Sequence, residues 1–425
     1  MVKGIKFELF YNIINLVCLT CVLNNNRAIT MFLILLNVTG ILFSLVNGIG
    51  KGSVIILLSL SIVMLLSIST MVSNYNTSII TTIMIFVQSI GSFLIGYSNP
   101  YNNDLNKSFL KFIIYFNIFL SIYGLLIYYL PNTIGTINFD GVNTYVQIVS
   151  FLGISLRQVV IIENITHISI SSLTNNPNTL SFLLLIASIS VLYFLFNKDE
   201  HSHFFNKKGC LICTFLLFVF TLFKAGSRIC IVVLFVSFIL FDYMRIKAVN
   251  KSYFKRRWYL IFVIVFFVIC FVGNYSTIIK YIDLNGREKG WKVFKAYSGK
   301  CIIWGIGLGN SLDLLLSEIG SRMGMHNTYF ALWLEMGLIP LLAIGFIIVR
   351  SAASSFMKYS ISKVSISSKF LNGCLFIFLV DILLIGITEN TIFTFSVFNY
   401  LFFFVLGVLI KGGDVCDKYN YNNLQ

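Results

Sequence analysis

The 425-residue sequence predicts an all-α fold, a polytopic transmembrane helical bundle of about twelve spans with a large external loop between spans nine and ten. Three observations predict it. The chain is 57% hydrophobic and only 11% charged, whereas a soluble domain carries about 25% charged residues. Apolar runs of spanning length recur from one end to the other. The basic residues between those runs alternate in the way membrane topology demands.

Taken in order, the runs fall at 8–23, 28–47, 52–72, 78–97, 109–130, 179–197, 209–224, 228–244, 258–278, 327–349, 368–388 and 391–411. Lys3 and Lys6 precede the first run as in a signal peptide. No small-residue cleavage site follows, so the run reads as the first span. With the N-terminus inside, 20 of the 31 Lys and Arg lie on the inner side. The strongest anchor is Arg245 to Arg257, with six basic residues in thirteen. An even span count returns the tail, 412–425, to the cytoplasm. The chain reads as one transmembrane domain, 1–425, with outer regions at 131–178 and 279–326. Within the first of these, Tyr145 to Ile162 reads as an amphipathic or re-entrant helix at the interface.

The formal net charge of +15 suits this topology better than a nucleic-acid partner. Seven of the 11 outer basic residues cluster between Lys280 and Arg322, against four carboxylates. That excess runs against the topological bias and suggests an anionic partner. Long translocated loops also escape the bias, so charge alone leaves both readings open. The nine Cys include Cys18/Cys21 and Cys210/Cys213 at C-x-x-C spacing within apolar runs. They read as helix-face packing, with no disulfide framework and no metal or cofactor set.

The candidate chemistry lies at the outer ends of the spans. Gly226-Ser227-Arg228 is too short for anything but a tight hairpin and sets Arg228 at a helix end, with Lys224 four residues earlier. A planar guanidinium suits phosphate oxygens. Arg287 follows a turn at Asn285-Gly286 and precedes Trp291 by one helical turn. An arginine beside an aromatic ring can serve a phosphate and a sugar together. Trp304-Gly-Ile-Gly-Leu-Gly309 lacks the βαβ setting of a dinucleotide site, so its glycines allow close backbone approach or a phosphate nest. Arg322 and His326 close the loop, and His326 can take a proton near neutral pH. Asn327 or Thr328 caps the helix after it, and Glu335 lies about 13 Å further along. Asp381 and Glu389 are secondary candidates. Asn176-Pro177-Asn178 reads as a helix cap, with Asn178 or Thr179 capping. The residues alone fit either an enzyme acting on a diphosphate or a transporter.

In these same residues the chain resembles the O-antigen polymerase and O-antigen ligase family. The likeness lies in the order of Asn176-Pro177-Asn178, Ser227-Arg228, Asn285-Gly286-Arg287 with Trp291, Gly305 to Gly309, and His326-Asn327 with Glu335. It is strongest over 220–345. Ile229 departs from the small residue that many members carry after the serine-arginine pair. The resemblance implies metal-independent, inverting glycosyl transfer on the outer face of a bacterial inner or plasma membrane. The donor would be an oligosaccharide on undecaprenyl diphosphate. Arg228 and Arg287 would hold the diphosphate, and His326 would take or position the acceptor's proton. Arg157, Lys224, Trp291, Arg322, Asn327 and Glu335 would contact substrate. A polymerase would use another lipid-linked repeat unit as acceptor, with a flippase and a chain-length regulator as neighbours. The product would be capsule, exopolysaccharide or O-antigen. A ligase would use a lipid A core sugar. A lipid-linked oligosaccharide flippase is the alternative of a different class, although no paired halves are visible.

Overall fold

The computed structural model describes residues 2–20, 27–46, 79–98, 103–139, 142–151, 154–164, 167–174, 176–197, 208–248, 287–301, 303, 305–320, 324–360 and 365–422. The apolar runs 52–72 and 258–278, the turn Asn285-Gly286, and Trp304 and Arg322 lie outside them.

Four helices precede a sheet: α1 (Val2–Thr20), α2 (Arg27–Val46), α3 (Ile79–Ser98) and α4 (Asn103–Tyr129). Strands β1 (Thr133–Phe139), β2 (Val142–Phe151), β3 (Ile154–Asn164) and β4 (His167–Ile170) follow. Then come α5 (Pro177–Phe196), α6 (Lys208–Ala225), α7 (Arg228–Ala248), α8 (Arg287–Tyr297), α9 (Ser311–Ile319), α10 (Thr328–Met336), α11 (Leu338–Ser360), α12 (Ile366–Ile385) and α13 (Val397–Asn422). Among the described residues, α2, α4, α5, α6, α7 and α12 are long and apolar enough to cross a membrane. Shorter apolar helices lie at 7–20, 82–98, 338–353 and 397–411. Each of these ten overlies an apolar run of the sequence.

Helix α5 is the centre of the bundle. It is buried along almost its whole length and packs on α4, α6, α7 and α12. Asn176 caps it by accepting from the Asn178 amide at 2.8 Å, and Pro177 takes the first turn, where its missing N–H costs nothing. The sequence alone places the cap on Asn178 or Thr179. Placing it on Asn176 releases the Asn178 side chain. Helix α13 packs on α3, α11, α12 and α1. It meets α3 so closely at Gly96 and Gly407 that a Cβ on either would enter the other helix's backbone. Small residues permit such helix contact where lipid supplies no hydrophobic drive.

Two expectations change. Residues 145–162 are not a helix; they belong to an antiparallel sheet of order β1-β2-β3-β4. The all-α fold therefore gains a four-stranded β element. Its residues are rich in Val, Ile and Thr, which favour strands, and β3 alternates exposed Arg157 and Ile161 with buried Gln158 and Val160. Gln158 docks the sheet on α4, donating to the Gln147 side chain at 2.8 Å and the Gly124 carbonyl at 3.3 Å. The run 327–349 is likewise not one helix. It breaks at Gly337, whose φ of 93° lies where glycine is at ease, leaving α10 as a separate nine-residue helix.

The ends of α5 define the ends of the bundle. Beyond Phe196, the segments expected inside gather: Arg245 lies over the Phe196 ring at 4.4 Å, and Asn197 donates to Ser367 at 3.0 Å. At the Asn178 end, segments expected outside meet.

Candidate functional site

Glu389 lies in the turn between α12 and α13, with a side chain 14% exposed. Its Oε1 accepts from Arg287 Nη2 at 2.9 Å and from Asn178 Nδ2 at 2.9 Å. Its Oε2 stands 3.5 Å from His326 Nδ1. Three segments singled out in the sequence, around Asn178, Arg287 and His326, thus converge on one carboxylate. Each contact has a local cause. Asn178 is free to reach out because Asn176 does the capping. Arg287 opens α8, and Glu288 in the same first turn suits the positive end of that helix.

His326 is held in an uncommon backbone conformation, with φ of 47°. For a residue bearing a Cβ this costs about 1–3 kcal/mol, so the surroundings must impose it. They do so on both sides. Met325 is fully buried, with Gly290 of α8 against its sulfur. Asn327 caps α10 by accepting from the Phe330 amide at 3.0 Å and donates to the Ile387 carbonyl at 3.0 Å. Thr328 completes the seam: its amide donates to the Gly386 carbonyl at 2.8 Å. Its hydroxyl donates to the Glu389 carbonyl at 2.7 Å and accepts from the Thr391 amide at 2.7 Å. The histidine and the glutamate are therefore fixed through one backbone junction.

Trp291 stands one turn along α8 from Arg287, edge-on to Phe330 with centroids 6.0 Å apart. Phe294 stacks flat on Phe330 at 4.1 Å, and Trp333 meets Phe294 edge-on. An aromatic wall thus adjoins the ionic cluster. Arg228 is exposed at the start of α7. The left-handed Gly226 lets this hairpin close against Ser169 of β4. Arg157 is exposed on β3, where its backbone exchanges hydrogen bonds with the Tyr123 hydroxyl at 2.9 and 3.2 Å.

Three of the expected substrate contacts have partners within the protein. Lys224 lies over the Tyr128 ring at 4.7 Å and the Tyr129 ring at 5.7 Å. Asn327 spends its side chain on the cap and on Ile387. Glu335 is buried and accepts from the hydroxyl and amide of Ser311, at the start of α9. The glycine-rich loop explains that burial. Ile306 and Gly307 donate to the Leu334 and Glu335 carbonyls at 2.8 and 2.9 Å, and a Cβ at Gly305 would run into the Glu335 backbone. Gly305 thus serves close backbone approach, and Gly307 and Gly309 take φ of 96° and 84°, where glycine is at ease.

Thr328 was visible in the sequence only as a possible cap, and Glu389 only as a secondary candidate. A carboxylate in a short turn between two apolar runs was its one signal. Compared with known proteins, the chain matches no protein-family model and no curated protein.

Proposed function

We propose that this chain is a membrane glycosyltransferase, an oligosaccharide repeat-unit polymerase of the bacterial inner or plasma membrane. It would cross the membrane about twelve times with both termini in the cytoplasm. It would transfer a glycan from undecaprenyl diphosphate to a sugar hydroxyl of another lipid-linked repeat unit, with inversion and without a metal, on the outer face.

One observation carries the reading: Asn178, Arg287 and His326, from three separate segments, meet within 3.5 Å of one carboxylate. They supply the two functions that the transfer requires. As the anomeric C–O bond to diphosphate breaks, negative charge grows on the leaving oxygens. Guanidinium groups stabilise charge at the place where it develops. Arg287 spends one nitrogen on Glu389, and with Arg228 it would face the leaving group. As the acceptor oxygen bonds to the anomeric carbon from the opposite side, its proton passes to His326. The wall of Trp291 and Phe330 would receive a sugar ring.

The test is elongation by the purified full-length protein given lipid-linked repeat units and a chelator. The expected result is a ladder of longer glycans, lost in Arg228→Ala, Arg287→Ala and His326→Ala, with each variant inserting as the wild type does. Full extension by all three variants would end the site assignment. A parallel reaction with lipid A core separates a ligase, which would join glycan only to that acceptor.

A further inference from the structure

We infer that Glu389 is the positioning residue of this site: it orients His326 so that Nδ1 carries the proton and Nε2 is left to accept one. The inference rests on the polymerase reading for its kinetic consequence, but its geometry is independent of it.

Both oxygens of the Glu389 carboxylate face hydrogen-bonding side chains. Oε1 already receives two, from Arg287 and Asn178, both at 2.9 Å. Oε2 faces His326 Nδ1 at 3.5 Å. A carboxylate can only accept. The imidazole nitrogen facing it is therefore the one that bears hydrogen, which leaves the lone pair on Nε2. The approach is longer than a formed hydrogen bond; such contacts commonly tighten when substrate arrives. The left-handed backbone at His326 and the bond from Thr328 to the Glu389 carbonyl hold the two side chains in register. Asn178 then acquires a purpose beyond its helix turn. By donating to Oε1 alongside Arg287, it directs Oε2 to the histidine.

The same count makes Glu389→Gln a sharp probe. Two donors face the Oε1 position, so the amide oxygen of a glutamine must lie there. Its NH₂ group then points at His326 Nδ1 and donates to it. The imidazole is driven into the opposite tautomer, with hydrogen on Nε2, and can no longer take the acceptor's proton. A residue that merely supported the fold would not invert a tautomer.

The experiment is nitrogen NMR of full-length protein with isotope-labelled histidine. The His326 signals are assigned by their loss in His326→Gln, and elongation kinetics are run beside it. The wild type is expected to show the Nδ1–H form and Glu389→Gln the Nε2–H form. In elongation, Glu389→Gln should lower kcat by about 10²- to 10⁴-fold, the range of acid–base contributions, with KM for the donor little changed. Glu389→Asp, which keeps the acceptor and its charge, should keep the wild-type tautomer and recover part of the loss. An Nε2–H wild type, or an unchanged tautomer in Glu389→Gln, would overturn the inference. A wild type that elongates nothing would count against the polymerase reading alone, because the tautomer measurement still decides this one.

Discussion

Arg287 and Glu389 lie 2.9 Å apart although they are 102 positions apart in the chain. Their side chains are 24% and 14% exposed, so the pair is screened from water only in part. Removing both partners should cost less stability than the two single losses combined. A thermal-unfolding cycle of Arg287→Ala, Glu389→Ala and the double variant should give a coupling of about 1–3 kcal/mol. Arg287→Lys should not restore elongation, because an ammonium lacks the planar fork.

Thr328 tests the junction without touching either charge. Thr328→Val keeps the shape, but it loses the donor to Glu389 and strands the Thr391 amide. Thermal unfolding should show a cost of about 1–3 kcal/mol. Thr328→Ser should behave nearly as the wild type.

The glycine loop makes a prediction of opposite kind, since here an added atom does the damage. Gly305→Ala places a methyl inside the Glu335 backbone. A cost of about 1–3 kcal/mol is expected for such overpacking. Limited proteolysis should then cut around 303–311, where the wild type resists.

Lys224 and Arg228 lie four residues apart and should part company in function. The Lys224 ammonium is taken up by Tyr128 and Tyr129, so Lys224→Gln should cost at most about 1 kcal/mol of stability and leave elongation near normal. Arg228→Ala should abolish elongation. Equal loss in both variants would return Lys224 to the anion site.

Cys301 offers a control for mapping sidedness. Burial pushes its thiol up, with Lys300 opposing weakly. At neutral pH it therefore holds less thiolate than an ordinary cysteine. An impermeant maleimide should leave it unmodified at pH 7, with labelling rising as pH is raised. Single cysteines introduced at 157 and 288, both exposed positions, should react readily.

Much of the architecture is legible because lipid makes strong demands on composition. The apolar runs that overlie α4, α5, α6, α7 and α12 could be read directly. The sheet at 133–164 could not be read from apolar content, because a half-buried strand and an interfacial helix have similar composition. The discriminating signal is positional. Register pairs Phe139 with Val142 and Phe151 with Ile154. The residues between are Asp140-Gly141 and Leu152-Gly153, and a glycine-bearing pair suits a two-residue hairpin turn. In the site, Arg287, Trp291 and His326 stood out by residue type. Their common partner did not, because nothing local relates residue 389 to residues 178, 287 and 326. Glu335 illustrates the reverse. The resemblance sets it against substrate, and in the fold it meets Ser311 and the glycine loop.

The order in which the site is assembled follows from where its carboxylate lies. Asn178, Arg287 and His326 leave the ribosome before Glu389, which follows all three in the chain. A chain stopped short of α12 can insert its earlier helices and still own no site. Copies cut before Glu389 would then be silent, because they lack the carboxylate on which the three side chains meet.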